Sequence, residues 1–72
     1  MAMAEYLLQK YAEYSEKAAD AKRRKDQFDY AYYDGKADLA FIILQERFGM
    51  TIRETDTEYI AENSVCSVRV RR

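Results

Sequence analysis

The sequence predicts a mainly helical α+β fold, in which two helices form an αα-hairpin and a small antiparallel β element follows. The first 34 residues contain neither glycine nor proline, and their apolar residues recur in steps of four and three. That spacing keeps one face of an α-helix directed at a partner. A shorter helical pattern follows Asp34 and Gly35 and ends at Gly49. From residue 50 onward the apolar residues alternate with a period of two, which is typical of β-strands.

The first helix is predicted to span about residues 4–33. Its apolar seam consists of Leu7, Tyr11, Tyr14, Ala18, Ala21, Lys25, Phe28 and Tyr32. Gly35 is predicted to end this helix, because glycine accepts a left-handed backbone at a helix C-terminus at low cost. Such a helix is about 45 Å long, whereas the next one covers only about 20 Å. Part of the seam therefore needs another partner, and self-association through this helix is one expectation.

The second helix is predicted to span about residues 36–48 and to end at Gly49, with Met50 folding back on Leu44. It carries two apolar stripes, which consist of Ala37, Phe41, Leu44 and Phe48, and of Leu39, Ile42 and Ile43. A helix that is apolar on two faces is expected to be buried from two sides. The second helix is therefore predicted to be the central element of the core.

Residues 50–71 are predicted to form the β element, with a hairpin around a two-residue turn at Asn63-Ser64. The expected pairs are Ala61 with Cys66, Tyr59 with Val68, Thr57 with Val70, Glu58 with Arg69 and Asp56 with Arg71. This register gives one apolar face and one face of opposite charges. A short helix over residues 56–63 is the alternative, because Thr55 and Glu58 have capping-box spacing. Residues 50–53 are candidates for a third short strand.

Composition excludes several classes of protein. The chain of 72 residues is predicted to be a single domain over residues 1–72, and 35% of its residues are charged although the net charge is only −1. It is therefore neither a polycation nor a polyanion. Cys66 is the only cysteine, so no intrachain disulfide can form. The longest apolar run, residues 39–44, is far shorter than the roughly 20 residues of a membrane span. These observations predict a cytoplasmic protein without a membrane partner.

The residue types that catalysis needs are scarce. The chain has no histidine, so the usual proton shuttle near neutral pH is missing. Cys66 has no histidine to activate it, and two glycines are too few for a phosphate-binding loop. Zinc sites draw on cysteine and histidine, of which only Cys66 is present. We therefore expect no enzymatic activity, no cofactor, no metal ion and no small-molecule substrate.

Two features point to a macromolecular partner. The chain has seven tyrosines, and tyrosine is enriched at protein interfaces. A basic run lies in the second half of the first predicted helix. The candidate partner-binding residues are Tyr6, Tyr30, Tyr33, Lys22, Arg23, Arg24 and Lys25. A second basic cluster of Arg69, Arg71 and Arg72 is a candidate for contacts to nucleic acid phosphates.

The function expected from these features is that of a small non-catalytic interaction protein. It would bind a protein or a protein–nucleic-acid complex and block or modulate it. A concrete form of this expectation is an inhibitor encoded by a phage or mobile element, of the anti-CRISPR kind, although no motif specifies it. One alternative is a small nucleic-acid-binding protein that uses the two basic clusters. Another is a structural homodimer or assembly component.

Overall fold

The computed structural model describes residues 2–72 and consists of an αα-hairpin packed on a three-stranded sheet. The helices are α1, Met3–Arg23, and α2, Gln27–Phe48. The strands are β1, Thr51–Glu54, β2, Glu58–Glu62, and β3, Ser67–Arg71. Both strand pairs are antiparallel, and β2 lies in the centre. The predicted fold class, α+β and mainly α, is confirmed.

The turn between the helices lies earlier in the chain than predicted. The predicted helices over residues 4–33 and 36–48 are wrong, because the chain reverses at Arg24, Lys25 and Asp26. The two helices are therefore nearly equal in length. Gly35 lies inside α2, where it is exposed and continues the helix. The seam breaks at the turn, so its later members, Lys25 and Phe28, do not extend the packing of α1.

Hydrogen bonds explain why a chain without glycine turns at this point. Lys25 adopts a left-handed backbone with φ of 60°, and its N–H donates to the Lys22 carbonyl at 3.1 Å. The N–H of Asp26 donates to the Ala21 carbonyl at 2.9 Å. These two bonds form a Schellman motif, which closes a helix most often with glycine at the left-handed position. The Asp26 carboxylate then accepts the Asp29 N–H at 3.0 Å and caps α2.

The main hydrophobic core lies between the open end of the helical hairpin and the sheet. It consists of Ala4, Leu7, Leu8, Ala12, Leu44, Met50, Tyr59 and Ala61. Gly49 ends α2 in a left-handed conformation with φ of 62°, and the Met50 N–H donates to the Leu44 carbonyl at 3.1 Å. The predicted end of the second helix at Gly49 is thus confirmed, and Met50 joins Leu44 in the core as expected.

The prediction that α2 is buried from two sides is wrong. Its first stripe faces the core, where Ala37 and Leu44 are buried. On the second stripe Leu39 is 58% exposed and Ile42 is 43% exposed. Ile43, the third member of this stripe, packs partly against the core, whereas α1 and the sheet leave Leu39 and Ile42 largely exposed.

The sheet confirms the predicted hairpin and third strand but not the predicted register. Tyr59 lies opposite Val70 rather than Val68, and Ala61 lies opposite Val68. The register is displaced by two residues, which leaves the paired side chains on their predicted faces because the period is two. The alternative helix over residues 56–63 is excluded, because this segment contains β2.

A four-residue loop over residues 63–66 causes the displacement. The Asn63 side-chain oxygen accepts the N–H groups of Val65 and Cys66, both at 2.8 Å, and this local bonding widens the loop. Cys66 is therefore exposed in the loop, and its predicted place on the apolar face is wrong. Asp56 lies in the turn between β1 and β2, where it does not oppose Arg71. The predicted pair of Glu58 and Arg69 does form, at 3.1 Å.

Candidate functional site

The sequence-predicted binding residues lie in three separate places. Lys22, Lys25 and Tyr30 line a cleft at the tip of the helical hairpin. Arg24 and Tyr33 line a second cleft beside α1. Tyr6 lies near the beginning of α1, about 24 Å along the helix from Lys22. The structure therefore does not bring all these candidates together into one site, although Tyr6 and Tyr33 lie on one face that is described below.

Carboxylates accompany the arginines of the first basic cluster. The Arg24 Nε donates to Asp20 at 2.9 Å, and the same guanidinium lies 3.7 Å from Asp26 and from Asp29. Arg23 lies 3.5 Å from Asp20. The hydrogen bond from Arg24 lowers the pKa of Asp20, so the carboxylate stays charged at neutral pH. These ion pairs neutralise the arginines of the cluster in part, whereas Lys22 and Lys25 form no ion pair among residues 2–72.

The second basic cluster is also paired in part. Arg69 contacts Glu58 across the sheet, and Arg72 contacts Glu16 of α1 at 3.3 Å. A second nitrogen of Arg72 donates to the Thr55 carbonyl at 3.0 Å. Phosphate binding at either arginine would compete with these contacts. Arg71, which is exposed on β3, has no ion-pair partner among residues 2–72.

A third surface combines tyrosine and lysine side chains on the side of the helical hairpin that faces away from the sheet. We name it the tyrosine–lysine face; it consists of Tyr6, Lys10, Tyr14, Lys17, Tyr32, Tyr33 and Lys36. The four residues from α1 are four, four and three positions apart, so they share one side of the helix. Leu8 and Ala12, which pack in the core, lie on the opposite side of α1.

Lysine ammonium groups lie over the tyrosine rings along this face. Lys10 is 5.7 Å from the centre of the Tyr6 ring and 6.0 Å from that of Tyr14. Lys36 is 5.3 Å from the Tyr14 ring and 4.8 Å from the Tyr32 ring. These distances are typical of cation–π contacts. The side chains are thus held in a defined arrangement before any partner binds.

Two aromatic contacts lie within the face, one of which joins the helices. The Tyr14 and Tyr33 rings stack with 6.1 Å between their centres, and Lys17 lies 5.5 Å from the Tyr33 ring. Tyr32 meets Tyr33 edge to face at 5.1 Å. Lysines and neighbouring rings cover part of these tyrosines, while Tyr6 stays 46% exposed and Tyr32 57% exposed. Hydroxyl groups and ring edges remain available, and both suit a protein partner.

The charge of this face is mainly positive. Glu13 is 3.5 Å from both Lys10 and Lys17 and neutralises part of their charge. Lys36 has no ion-pair partner among residues 2–72. The neighbouring Tyr32 hydroxyl raises the pKa of Lys36, with a smaller effect from Tyr14, so its ammonium group stays charged. Lys36 is therefore the clearest contact point for a carboxylate of a partner.

The sequence pattern points to Tyr6 and Tyr33 but misses Lys10, Tyr14, Lys17 and Lys36 as members of a binding surface. It places Tyr14 and Tyr32 on the apolar seam, and it assigns no binding role to Tyr32 or to these three lysines. The alternation of tyrosine and lysine at positions 6, 10, 14 and 17 is the available signal on α1. The contribution from α2 depends on the true position of the turn, so the sequence pattern alone could not reveal it.

A polar network on the sheet side fixes the orientation of α1. The Tyr59 hydroxyl donates to Glu16 at 2.8 Å, and the Arg72 guanidinium lies 5.0 Å from the centre of the Tyr59 ring. Tyr59 is only 1% exposed. Burial first, and then the bond to Glu16, raises the pKa of Tyr59 to about 12. The same bond lowers the pKa of Glu16. The network therefore locks α1 to the centre of the sheet.

This network predicts a loss of stability at high pH. The pKa of Tyr59 is about 10 in the unfolded chain and about 12 in the folded one, so its stabilising effect is complete below pH 10 and is lost as the pH rises toward 12. Urea titrations of wild type and Tyr59→Phe measure the difference in unfolding free energy between them. We expect this difference to narrow by about 1 kcal/mol between about pH 9 and pH 11. A constant difference would contradict the raised pKa.

Comparison with protein-family models, curated proteins and solved structures finds no significant match to this chain. Neither helix within residues 2–72 has an apolar stretch that could cross a bilayer. The same residues contain no cluster of three or more side chains that could ligate a metal ion. The surface geometry described above is therefore the basis on which a function can be inferred.

Proposed function

We propose that this chain is a small non-catalytic interaction protein that binds an acidic segment of a protein partner through the tyrosine–lysine face. The observation that supports the proposal most directly is the interleaving of tyrosines and lysines across both helices. Tyrosines supply large contact areas with a polar tip, and lysines supply charge. Their mutual contacts reduce the conformational entropy lost on binding.

The acidic character of the partner follows from the charges on the face. Lys10, Lys17 and Lys36 contribute three ammonium groups, whereas Glu13 contributes one carboxylate near two of them. A partner with carboxylates spaced along a strand or helix would meet these ammonium groups. Its apolar side chains would fit the adjoining groove, which Leu7, Leu39, Ala40 and Ile43 line. Binding there would block or modulate the surface of the partner.

Two double variants test this proposal, because each removes one tyrosine and one lysine. The face variant is Tyr6→Ala with Lys10→Ala, and the tip variant is Tyr30→Ala with Lys22→Ala. Tagged wild type captures its partner from a lysate of the source organism, with nuclease treatment, and the affinity of the purified partner is then measured for each variant. We expect the face variant to lose about tenfold or more in affinity. The tip variant should bind within about threefold of wild type.

A larger loss of affinity in the tip variant than in the face variant would contradict the proposal. A partner that is captured only without nuclease treatment would contradict it as well and would support the alternative of nucleic-acid binding through the basic clusters. Far-ultraviolet circular dichroism provides the control for folding, and all four substituted side chains lie wholly or partly at the surface. The expectation of an inhibitor encoded by a phage or mobile element stays a prediction.

A further inference from the structure

An apolar stripe runs along the outer side of α2, where it stays largely exposed. It consists of Phe28, Tyr32, Gly35, Leu39 and Ile42, and we name it the outer stripe. Phe28 is 90% exposed, and the other large side chains are also substantially exposed. The residues follow one another in steps of four, three, four and three, which is the spacing of a coiled-coil seam. Such spacing fits a second helix better than a flat or irregular surface.

Gly35 gives the strongest indication that another helix packs here. A glycine inside a helix destabilises it relative to alanine. A Cβ atom at Gly35 would meet no other atom within 4 Å, so no contact inside the monomer requires a glycine. At the centre of an exposed seam, a glycine instead leaves room for a large side chain of a neighbouring helix.

We propose that the outer stripe binds a second copy of this chain, with the two α2 helices antiparallel. When Tyr32 of each copy lies over Gly35 of the other, Phe28 of each copy falls opposite Leu39 of the other. The seam then has four successive layers, two in which Tyr32 meets Gly35 and two in which Phe28 meets Leu39. This pairing is the same from either copy, as a two-fold symmetric interface requires. The stripe is thus complementary to itself in one particular alignment.

The charges beside the stripe support the same alignment. Asp29 and Lys36 are seven residues apart, so they lie on the same flank of α2. In an antiparallel pair this flank faces its own copy, and Lys36 of one chain then lies about 3 Å along the axis from Asp29 of the other. Asp29 lies 3.7 Å from Arg24 within the monomer, and Lys36 of the second copy would join this pair, once on each side of the two-fold axis. A parallel pair in register would instead place Gly35 beside Gly35 and Tyr32 beside Tyr32 in the seam.

The size of the stripe sets the expected strength of the dimer. In this alignment the contact runs from Phe28 to Leu39, which is about 17 Å along α2. An interface of this length buries less than about 1,200 Å², which is typical of weak and reversible complexes. We therefore expect a dimer that dissociates in the micromolar range. This inference does not depend on the acidic partner, although Tyr32 and Lys36 belong to both surfaces and Leu39 also lines the groove beside the tyrosine–lysine face.

Sedimentation equilibrium over concentrations below and above the micromolar range tests the dimer. Wild type should show a reversible monomer–dimer equilibrium. Gly35→Leu fills the space that Tyr32 of the second copy needs, so it should weaken dimerisation roughly tenfold or more. The same change favours helix formation and meets open space, so the monomer should fold and melt at or above the wild-type temperature. Gln45→Leu, which adds the same side chain outside the stripe, is the matched control.

Charge reversal tests the alignment itself. Lys36→Asp alone and Asp29→Lys alone should each weaken the dimer, whereas the double variant should recover most of the wild-type affinity. A wild-type monomer at every concentration, or a Gly35→Leu variant that dimerises as well as wild type, would overturn the proposal. A double variant that is weaker than both single variants would overturn the antiparallel alignment. None of these measurements uses the acidic partner, so failure here is separate from failure of the proposed function.

Discussion

Replacing Leu44 by alanine is expected to destabilise the fold by about 3 kcal/mol, as is typical when a fully buried leucine is truncated. Leu44 has no exposed surface and lies where α2, α1 and the sheet meet. A chain of this size buries only about 60% of its unfolded surface, and its total stability is therefore low. The variant should be largely unfolded or close to its midpoint at room temperature, as measured by urea titration with circular dichroism.

Leu39→Ala is the matched control, because it removes the same atoms from the same helix. Leu39 lies on the outer stripe, so its truncation should change the unfolding free energy of the monomer by less than about 0.5 kcal/mol. Both measurements belong at concentrations low enough to keep the chain monomeric. Equal effects at the two positions would show that α2 is buried from both sides, as its two apolar stripes suggest, and would contradict the orientation of α2.

Replacing Gly35 and Gly49 by alanine is expected to change the unfolding free energy in opposite directions. Gly35 is helical and open to solvent, so Gly35→Ala should stabilise the monomer by about 0.5–1 kcal/mol. Gly49 has φ of 62° at the end of α2, where an L-residue is strained, so Gly49→Ala should destabilise it by about 1 kcal/mol. Urea midpoints of the two variants should therefore lie on either side of the wild-type midpoint.

Whether Gly35→Ala stabilises or destabilises the chain is the informative result. If the helix ended at Gly35, as the glycine itself suggests, alanine there would be strained and both substitutions would destabilise the chain. A Cβ atom added at either glycine would meet no other atom within 4 Å, so side-chain clashes do not complicate the comparison. Destabilisation at both positions would contradict the turn at residues 24–26.

The turn between the helices was predictable only from signals weaker than a glycine. Asp26 caps α2 and Asp29 lies in its first turn, while Lys22 and Arg23 lie in the last turn of α1. Acidic residues favour helix starts and basic residues favour helix ends, so the change of sign from Lys22 to Asp29 marked the boundary. The helix boundary was hard to recognise because Lys25 occupies the left-handed position, where glycine is the usual residue.

The sheet was predicted more completely because the alternation of apolar and polar residues still assigns the correct faces when the register is displaced by two residues. Alternation assigns each residue of β2 and β3 to a face, and a displacement of two residues keeps that assignment. The register depended on the bonds from the Asn63 side chain to the N–H groups of Val65 and Cys66. An asparagine permits several loop lengths, so the sequence did not distinguish a two-residue turn from a four-residue loop.

The candidate surface followed from the sequence only in part, for the same reason as the turn. Tyr6 and Tyr33 were recognisable as surplus tyrosines, but Lys36 joins Tyr14 only when the chain reverses near residue 25. On a helix continuous to residue 33, Tyr14 and Tyr33 would lie about 28 Å apart. The tyrosine–lysine face is therefore a tertiary feature that no local pattern encodes.

The two helices fold against each other and thereby assemble the tyrosine–lysine face. Nuclear Overhauser spectroscopy of the wild-type chain tests it directly, because cross-peaks arise only between protons a few ångströms apart. We expect cross-peaks between the ring protons of Tyr14 and Tyr33, whose ring centres lie 6.1 Å apart. We also expect cross-peaks between Tyr14 and the side chain of Lys36, whose ammonium lies 5.3 Å from the Tyr14 ring. Absence of both sets of cross-peaks in the folded protein would contradict the turn, the face and the function proposed for it.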